Sequence, residues 1–382
     1  MKLSRFLLLM GLFFFVISCD NSKQSSKNRG EIFKVDLRKK VNPFEEIFSK
    51  AEIIPLETTD NSLVVYIGKI YSWKDKFFVY DYMAQKLLVF AQDGRFQYRI
   101  GKHGQGAGEY LSMYDCFVDT IKNEALFMSV YGHINVYDLE GNFKEKLVLP
   151  GRPNYYSVIP LTDGVIATWS HMRLREGDGI LVYDRNSGDT INSYWSDNPD
   201  FDAICGEPFY RYDNKSYFSV SLRHQVYELR TDGMYLAYYW DFGKDNIRDS
   251  RLEYYSEIEA ENGKNRIILY DIGSNELPYI MMNQSQNKDY CYVPLRRKIG
   301  TRPPITHVFY DKGTEKSYVF DYLTEGCRMH HPLYFGDEYL ITDIVYEDRE
   351  TFKSVLPESE YRKLENMLED DNPCLLKLYF KK

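Results

Sequence analysis

Seven histidines are the first candidates for metal or acid–base chemistry in this sequence, and their spacing argues against a shared ligand set. His103, His133, His171, His224 and His307 stand singly, while His330 and His331 are adjacent. Adjacent residues of a strand point to opposite faces, so that pair does not grip one ion. No Gly-x-Ser-x-Gly elbow and no Cys-x-x-Cys occurs, and no catalytic or metal-ligating residue is assigned. The glycine-rich stretch Gly101–Tyr110, with Gly104, Gly106, Gly108 and Glu109, invites a phosphate-binding reading. Such a loop needs a helix behind it, so that backbone N–H groups converge on the anion. Here a strand pattern follows, Cys116–Thr120, and the Lys-Ser/Thr ending is missing. The loop is therefore a tight crossover between structural units, with Glu109 capping its amides.

The elements that position these residues follow a period of two. Phe77–Tyr80, Lys86–Phe90 and Arg95–Ile100 are short strands, the last two joined at Asp93-Gly94, where glycine takes positive φ freely. Glycine turns recur at Gly141, Gly188, Gly233 and Gly313, at spacings of 47, 47, 45 and 80 residues. The strand before each turn has a shared form: LLVFAQDG, INVYDLEG, ILVYDRNSG, QVYELRTDG, THVFYDKG. A period near 46 with four strands per period is that of propeller blades. The long interval accommodates an insertion, Asp245–Gly273, with a helix over Arg251–Asn262.

The expected fold is all-β: a six-bladed β-propeller of four-stranded blades over residues 31–382. A short helical insertion separates blades four and five, and Glu358–Asp370 forms a helix in blade six. Blade six lacks a glycine turn. Its third strand, Cys374–Phe380, ends the chain and needs a partner from the start, either Ala51–Glu57 or Ile32–Leu37. Pairing of the two ends closes the ring.

The N-terminus carries an address. Lys2 and Arg5 precede an apolar run, Phe6–Ile17, which is too short to span a bilayer as a mature helix. Val16-Ile17-Ser18-Cys19 has the form of a lipobox, so residues 1–18 are a lipoprotein signal peptide and Cys19 is the acylated residue. Residues 19–30 form a polar tether. Loss of Lys2 and Arg5 moves the net charge from −8 to −10, which disfavours nucleic acid as a partner. The five remaining cysteines, Cys116, Cys205, Cys291, Cys327 and Cys374, read as mostly buried thiols with one incidental disulfide as the alternative.

The stretch IIPLETTDNSLVVYIGKI, followed by FFVYDYMAQKLLVFAQDGRFQYRIGKHGQGAGEY, resembles the six-bladed β-propeller lipoproteins of Gram-negative bacteria, relatives of the NHL and TolB-like propellers. The marks are Pro55-Leu56-Glu57-Thr58, the Val-Phe…Asp-Gly strand-turn, and the loop Gly104–Tyr110, where Ala107 replaces a usual proline. The resemblance implies the fold and an envelope location, here the outer membrane, but no reaction.

Assigning loops to the two rims gathers several cations on one rim. His133, Arg173, Arg223 and Arg297 are the ligand-binding candidates for an envelope protein partner, or for a polar or anionic small molecule or glycan. The leading expectation is a monomeric, non-catalytic binding module without cofactor. The first alternative is a metal-assisted lyase or lactonase-like hydrolase with Ca²⁺ or Zn²⁺ in the central channel. The second is a structural subunit of an envelope assembly.

Overall fold

The computed structural model describes residues 30–150, 155–162, 164–170, 179–194, 207–258, 263–280, 283–298 and 303–382. Six sheets form a six-bladed β-propeller, each running from an innermost strand at the axis to an outermost one at the rim. Blade one comprises Ile67–Trp73, Lys76–Asp81, Lys86–Ala91 and Phe96–Ile100, in that order outward. The innermost strands of blades two, three and four are Asp115–Asp119, Tyr155–Thr162 and Phe209–Tyr212. In blade five two short segments, Tyr279–Ile280 and Ser285–Gln286, share the inner edge of Tyr290–Arg296. Blade six begins with Tyr334–Phe335.

The second and third strands of the blades are apolar almost throughout because both of their faces are buried, whereas outermost strands such as Phe143–Val148 are largely polar and exposed. Along Lys76–Asp81, Phe78 and Tyr80 pack against blade two, while Phe77 and Val79 pack against blade six. The pleat sends successive side chains to opposite faces, so one short strand feeds two cores. Each fully buried aromatic there contributes about 2–3 kcal/mol of transfer free energy. All five recurring glycines sit at the turn between the third and fourth strands of a blade. Gly94 shows why: its φ is +89°, and a Cβ there would lie 1.9 Å from the Pro55 carbonyl oxygen.

Closure explains the missing sixth turn. Cys374–Phe380 pairs antiparallel with Phe48–Pro55, which supplies the outermost strand of blade six from the start of the chain. The Pro-Leu-Glu-Thr segment then crosses into blade one. Asn372, 1 % exposed, holds it by accepting from Val64 N–H at 2.7 Å and donating to the Glu57 and Ser62 carbonyls. The other expected partner, Ile32–Leu37, has a different place. Glu31–Lys34 runs parallel to Gly233–Asp241 and adds a fifth strand to blade four. It goes there because Phe33 stacks between Tyr238 and Tyr310, at 4.6 and 4.0 Å between ring centroids.

The insertion differs from the single helix expected over Arg251–Asn262. Two helices form, Asp249–Glu257 and Lys264–Ser274, with a small core of their own around Tyr255, Ile268 and Ile272. Arg251 and Tyr255 both donate to Asp271 across the pair, at 2.7 and 2.5 Å, so each helix caps the other's polar side chain. In blade six the helix is Glu358–Glu365. The four described cysteines, Cys116, Cys291, Cys327 and Cys374, are buried free thiols, and Cys205 lies outside the described residues. No helix among the described residues is long and apolar enough to cross a membrane.

Candidate functional site

Sequence reasoning directed attention to loops, yet a cluster of charged and carboxamide side chains lies at the axis. A cavity of about 370 Å³ runs along the channel, walled by the inner strands of all six blades. That volume falls within the range of about 300–1,000 Å³ typical of small-molecule sites.

One knot of charge crosses four blades. Lys69, from the innermost strand of blade one, donates to Asp115 of blade two and, at 2.7 Å, to Glu207 at the approach to blade four. Asp115 also accepts from Ser157 Oγ at 2.7 Å and Val158 N–H at 2.9 Å, both in blade three. It accepts from the Cys116 amide as well. Burial works to lower the Lys69 pKa, but the two carboxylates beside it hold it well above the usual value. Burial pushes the Glu207 carboxyl up, against the pull of Lys69. Glu207 nevertheless keeps 28 % of its side chain open to the channel. A second pair, Arg211 with Asp119 at 3.4 Å, links blades four and two. Asp119 also receives the amides of Ile121 and Lys122.

Between these pairs the wall is aromatic and amide. Tyr71, Phe117, Tyr210, Tyr334 and Phe335 contribute ring surface, and Asn214, Asn283, Gln284 and Gln286 contribute carboxamides. Gln284 accepts from Trp240 Nε1 at 2.9 Å. Its Nε2, and Nε of Arg211, are buried without a partner among the described residues.

The three described rim residues predicted from the sequence lie on one rim, where second strands pass to third strands. His133 opens the third strand of blade two, Arg223 sits in a turn of blade four, and Arg297 follows Tyr290–Arg296 in blade five. None of the three lines the cavity. Burial, then Lys146, lowers the His133 pKa. Arg173 and Cys19 lie outside the described residues. Both rims carry both signs of charge. The segment joining the second and third strands of blade six adds Glu347, Asp348 and Glu350 to the rim of Arg223. Lys74, Lys122 and Lys288 stand in turns of the opposite rim.

The glycine loop has its own internal logic. Glu109 accepts from Gly106 N–H at 2.9 Å and from Lys102 Nζ at 2.8 Å, which together hold its carboxyl below the usual range. A Cβ on Gly104 would lie 2.0 Å from Glu109 Oε2, and one on Gly108 would lie 2.9 Å from Phe143 Cβ. Lys69, Asp115, Ser157 and Glu207 went unnoticed in the sequence. The available signal was a polar residue recurring at about one blade's spacing, 46, 42 and 50 residues apart along that series.

The architecture and the polar, aromatic axis define the class: a six-bladed β-propeller with a central ligand-sized channel. The chain belongs to DUF4934, a domain of unknown function, whose family model matches residues 32–379. No curated protein matches it. Among solved structures it is similar to a protein of Bacteroides fragilis provisionally named as exported. The TM-score is 0.76 at 19 % identity, covering 92 % of this chain and 100 % of the other. It is also similar to a DUF4221 family member from Bacteroides vulgatus, with a TM-score of 0.56 at 12 % identity, covering 88 % and 98 %. At these identities the likeness concerns the fold.

Proposed function

We propose that this protein is a lipid-anchored, non-catalytic binding module of the bacterial cell envelope, and that its ligand occupies the central channel. The observation that carries this reading is the cavity of about 370 Å³, where Lys69 is paired with Asp115 and Glu207, and Arg211 with Asp119. Paired charges make a rigid, preorganised wall, and they leave aromatic faces and carboxamides for recognition. The anchor reading rests on Val16–Cys19 and on the similarity to a protein named as exported. A tether from Cys19 to Gly30 reaches at most about 40 Å, which keeps the ring close to the membrane surface.

Two experiments test it. Palmitate labelling and envelope fractionation of the wild type, lost in Cys19→Ser, support the anchor; an unlabelled wild type overturns it. Native mass spectrometry of protein purified from its own cells tests the channel. Ser72→Trp and Asn283→Trp place a large ring at the wall, and both remove a co-purifying ligand if the channel holds it. A ligand retained by both variants puts the site elsewhere.

A further inference from the structure

We infer that the channel takes an organic cation, a protonated amine on an apolar body, and that the Glu207 carboxylate receives it; this rests on the channel reading above. Lys69 alone serves two carboxylates, Asp115 and Glu207, so that knot carries a net negative charge. Arg211 offsets Asp119, and Asp213 adds a further carboxylate at the mouth. Among the described residues, these four carboxylates face two cations along the wall. A narrow cleft with low-dielectric walls focuses such a field and draws in the opposite sign.

Glu207 is where that excess meets the cavity. Lys69 Nζ at 2.7 Å and Ser157 Oγ at 3.4 Å both approach its Oε2, and Oε1 takes no partner among the described residues. Its side chain keeps 28 % exposure on the cavity wall, whereas Asp115 has none and Asp119 only 3 %. Those two already accept from backbone amides, and Asp115 from Ser157 as well. An ammonium N–H at Oε1 makes a charge-assisted hydrogen bond, about twice as strong as a neutral one. The burial that pushes the Glu207 carboxyl up favours the same partner, because a second cation offsets the cost of keeping that charge.

The rest of the wall defines the body of the ligand. Tyr71 and Phe117 follow Lys69 and Asp115 by two residues, so each shares a strand face with its member of the knot. Their rings pack edge to face at 5.7 Å between centroids, and both line the cavity. The Tyr71 hydroxyl donates to the Cys116 carbonyl at 2.8 Å, which fixes its ring. Ring faces attract cations and cover apolar carbon. An inorganic ion is served less well, since no three His, Cys, Asp or Glu side chains among the described residues are placed to hold a metal. The cavity of about 370 Å³ admits a short chain or a single ring bearing the ammonium.

The test is saturation-transfer NMR and calorimetry on the mature chain near neutral pH. The amine probes are cadaverine and tyramine; their counterparts of similar shape are pentanediol and glutarate for the first, and tyrosol for the second. At least one amine binds at about 10 mM, where even weak specific sites fill, and its counterparts bind more weakly. Glu207→Gln keeps a carbonyl toward Lys69 and removes the charge, and it weakens the amine about tenfold or more, the usual effect of losing one charge-assisted hydrogen bond. Asp213→Asn reads the same field without touching the buried knot: Asp213 sits in an exposed turn at φ +47°, a backbone that asparagine also adopts. It weakens the amine about twofold at low salt and less at high salt. Melting temperatures of both variants stay near the wild type.

Absence of amine binding at about 10 mM overturns the inference, as does a diol, glutarate or tyrosol that binds as tightly as its amine counterpart. Amine binding unchanged in Glu207→Gln overturns it too, because a carboxyl that is already neutral, or one that the ligand does not touch, gives that result. Ser72→Trp separates this inference from the channel reading. A neutral or anionic probe displaced by that plug leaves the channel standing and removes the cation; amine binding that survives the plug removes the channel.

Discussion

The Lys69 ammonium meets the Glu207 carboxylate at 2.7 Å, joining the innermost strand of blade one to the approach to blade four. Asp115 holds the other side of the same ammonium. Removing the cation leaves two carboxylates facing each other in a largely buried site. Lys69→Met should cost about 3 kcal/mol, because stripping one member from a buried pair strands the other's charge. Adding Glu207→Gln should restore part of that loss. Urea unfolding of the single and double variants measures both; additive losses would show that the ammonium does not couple the blades.

Acid should weaken the fold through two buried histidines. His307 donates from Nε2 to the Met329 carbonyl at 3.0 Å and accepts on Nδ1 from Tyr292 O–H at 2.9 Å, a tautomer set by the carbonyl. Burial lowers its pKa to about 3, and that of His224 to about 4. Below about pH 6.5 the unfolded chain takes up protons that the folded one refuses, so stability falls until the folded values are reached. Each histidine contributes a slope of about 1.4 kcal/mol per pH unit in that window. Glu207 acts in the opposite sense, since its raised folded pKa favours folding as it protonates. The urea midpoint from pH 7.5 down to 4.5 reports the sum, and a flat profile would exclude both histidines.

Gly94 should be intolerant of any side chain. Gly94→Ala adds about 1–2 kcal/mol for the left-handed backbone and a similar amount for pushing the turn off Pro55. Gly243 is the control: its φ is +60° and no atom lies within 4 Å of a Cβ built there, so Gly243→Ala carries only the backbone cost of about 1–2 kcal/mol. Thermal melts of the two variants read the difference. Equal losses would show that the Pro55 contact does not hold the closure.

The described cysteines should be inert in the folded state. Burial pushes the thiols of Cys291, Cys327 and Cys374 up to about 12, and that of Cys116 well above its ordinary value. At pH 8 they should not react with a thiol reagent until the chain is unfolded in guanidinium. Rapid labelling of any of the four in buffer would contradict this burial.

Gly94, Gly141, Gly188, Gly233 and Gly313 announce the ring because a tight turn constrains its own few residues, and a repeated constraint shows as a period. The surroundings of the lone histidines and the rim arginines were hidden for the complementary reason. A loop position says which rim a residue belongs to, but not which other residues share its surroundings. His307 is an example: its position in the chain says nothing of its partners, and the fold makes it a hydrogen-bond bridge inside the core between Tyr292 and Met329.

The chain alone therefore determined what depends on local geometry: blade number, turn position, and the need for an N-terminal strand to complete blade six. Only the folded ring decided that Lys69, Asp115, Ser157 and Glu207 meet, and that Phe33 rather than the closing seam claims the first strand. The physical reason is burial. Charges as costly as these tolerate the interior only where closure brings their partners within hydrogen-bonding distance, and that proximity spans more than one repeat of the chain.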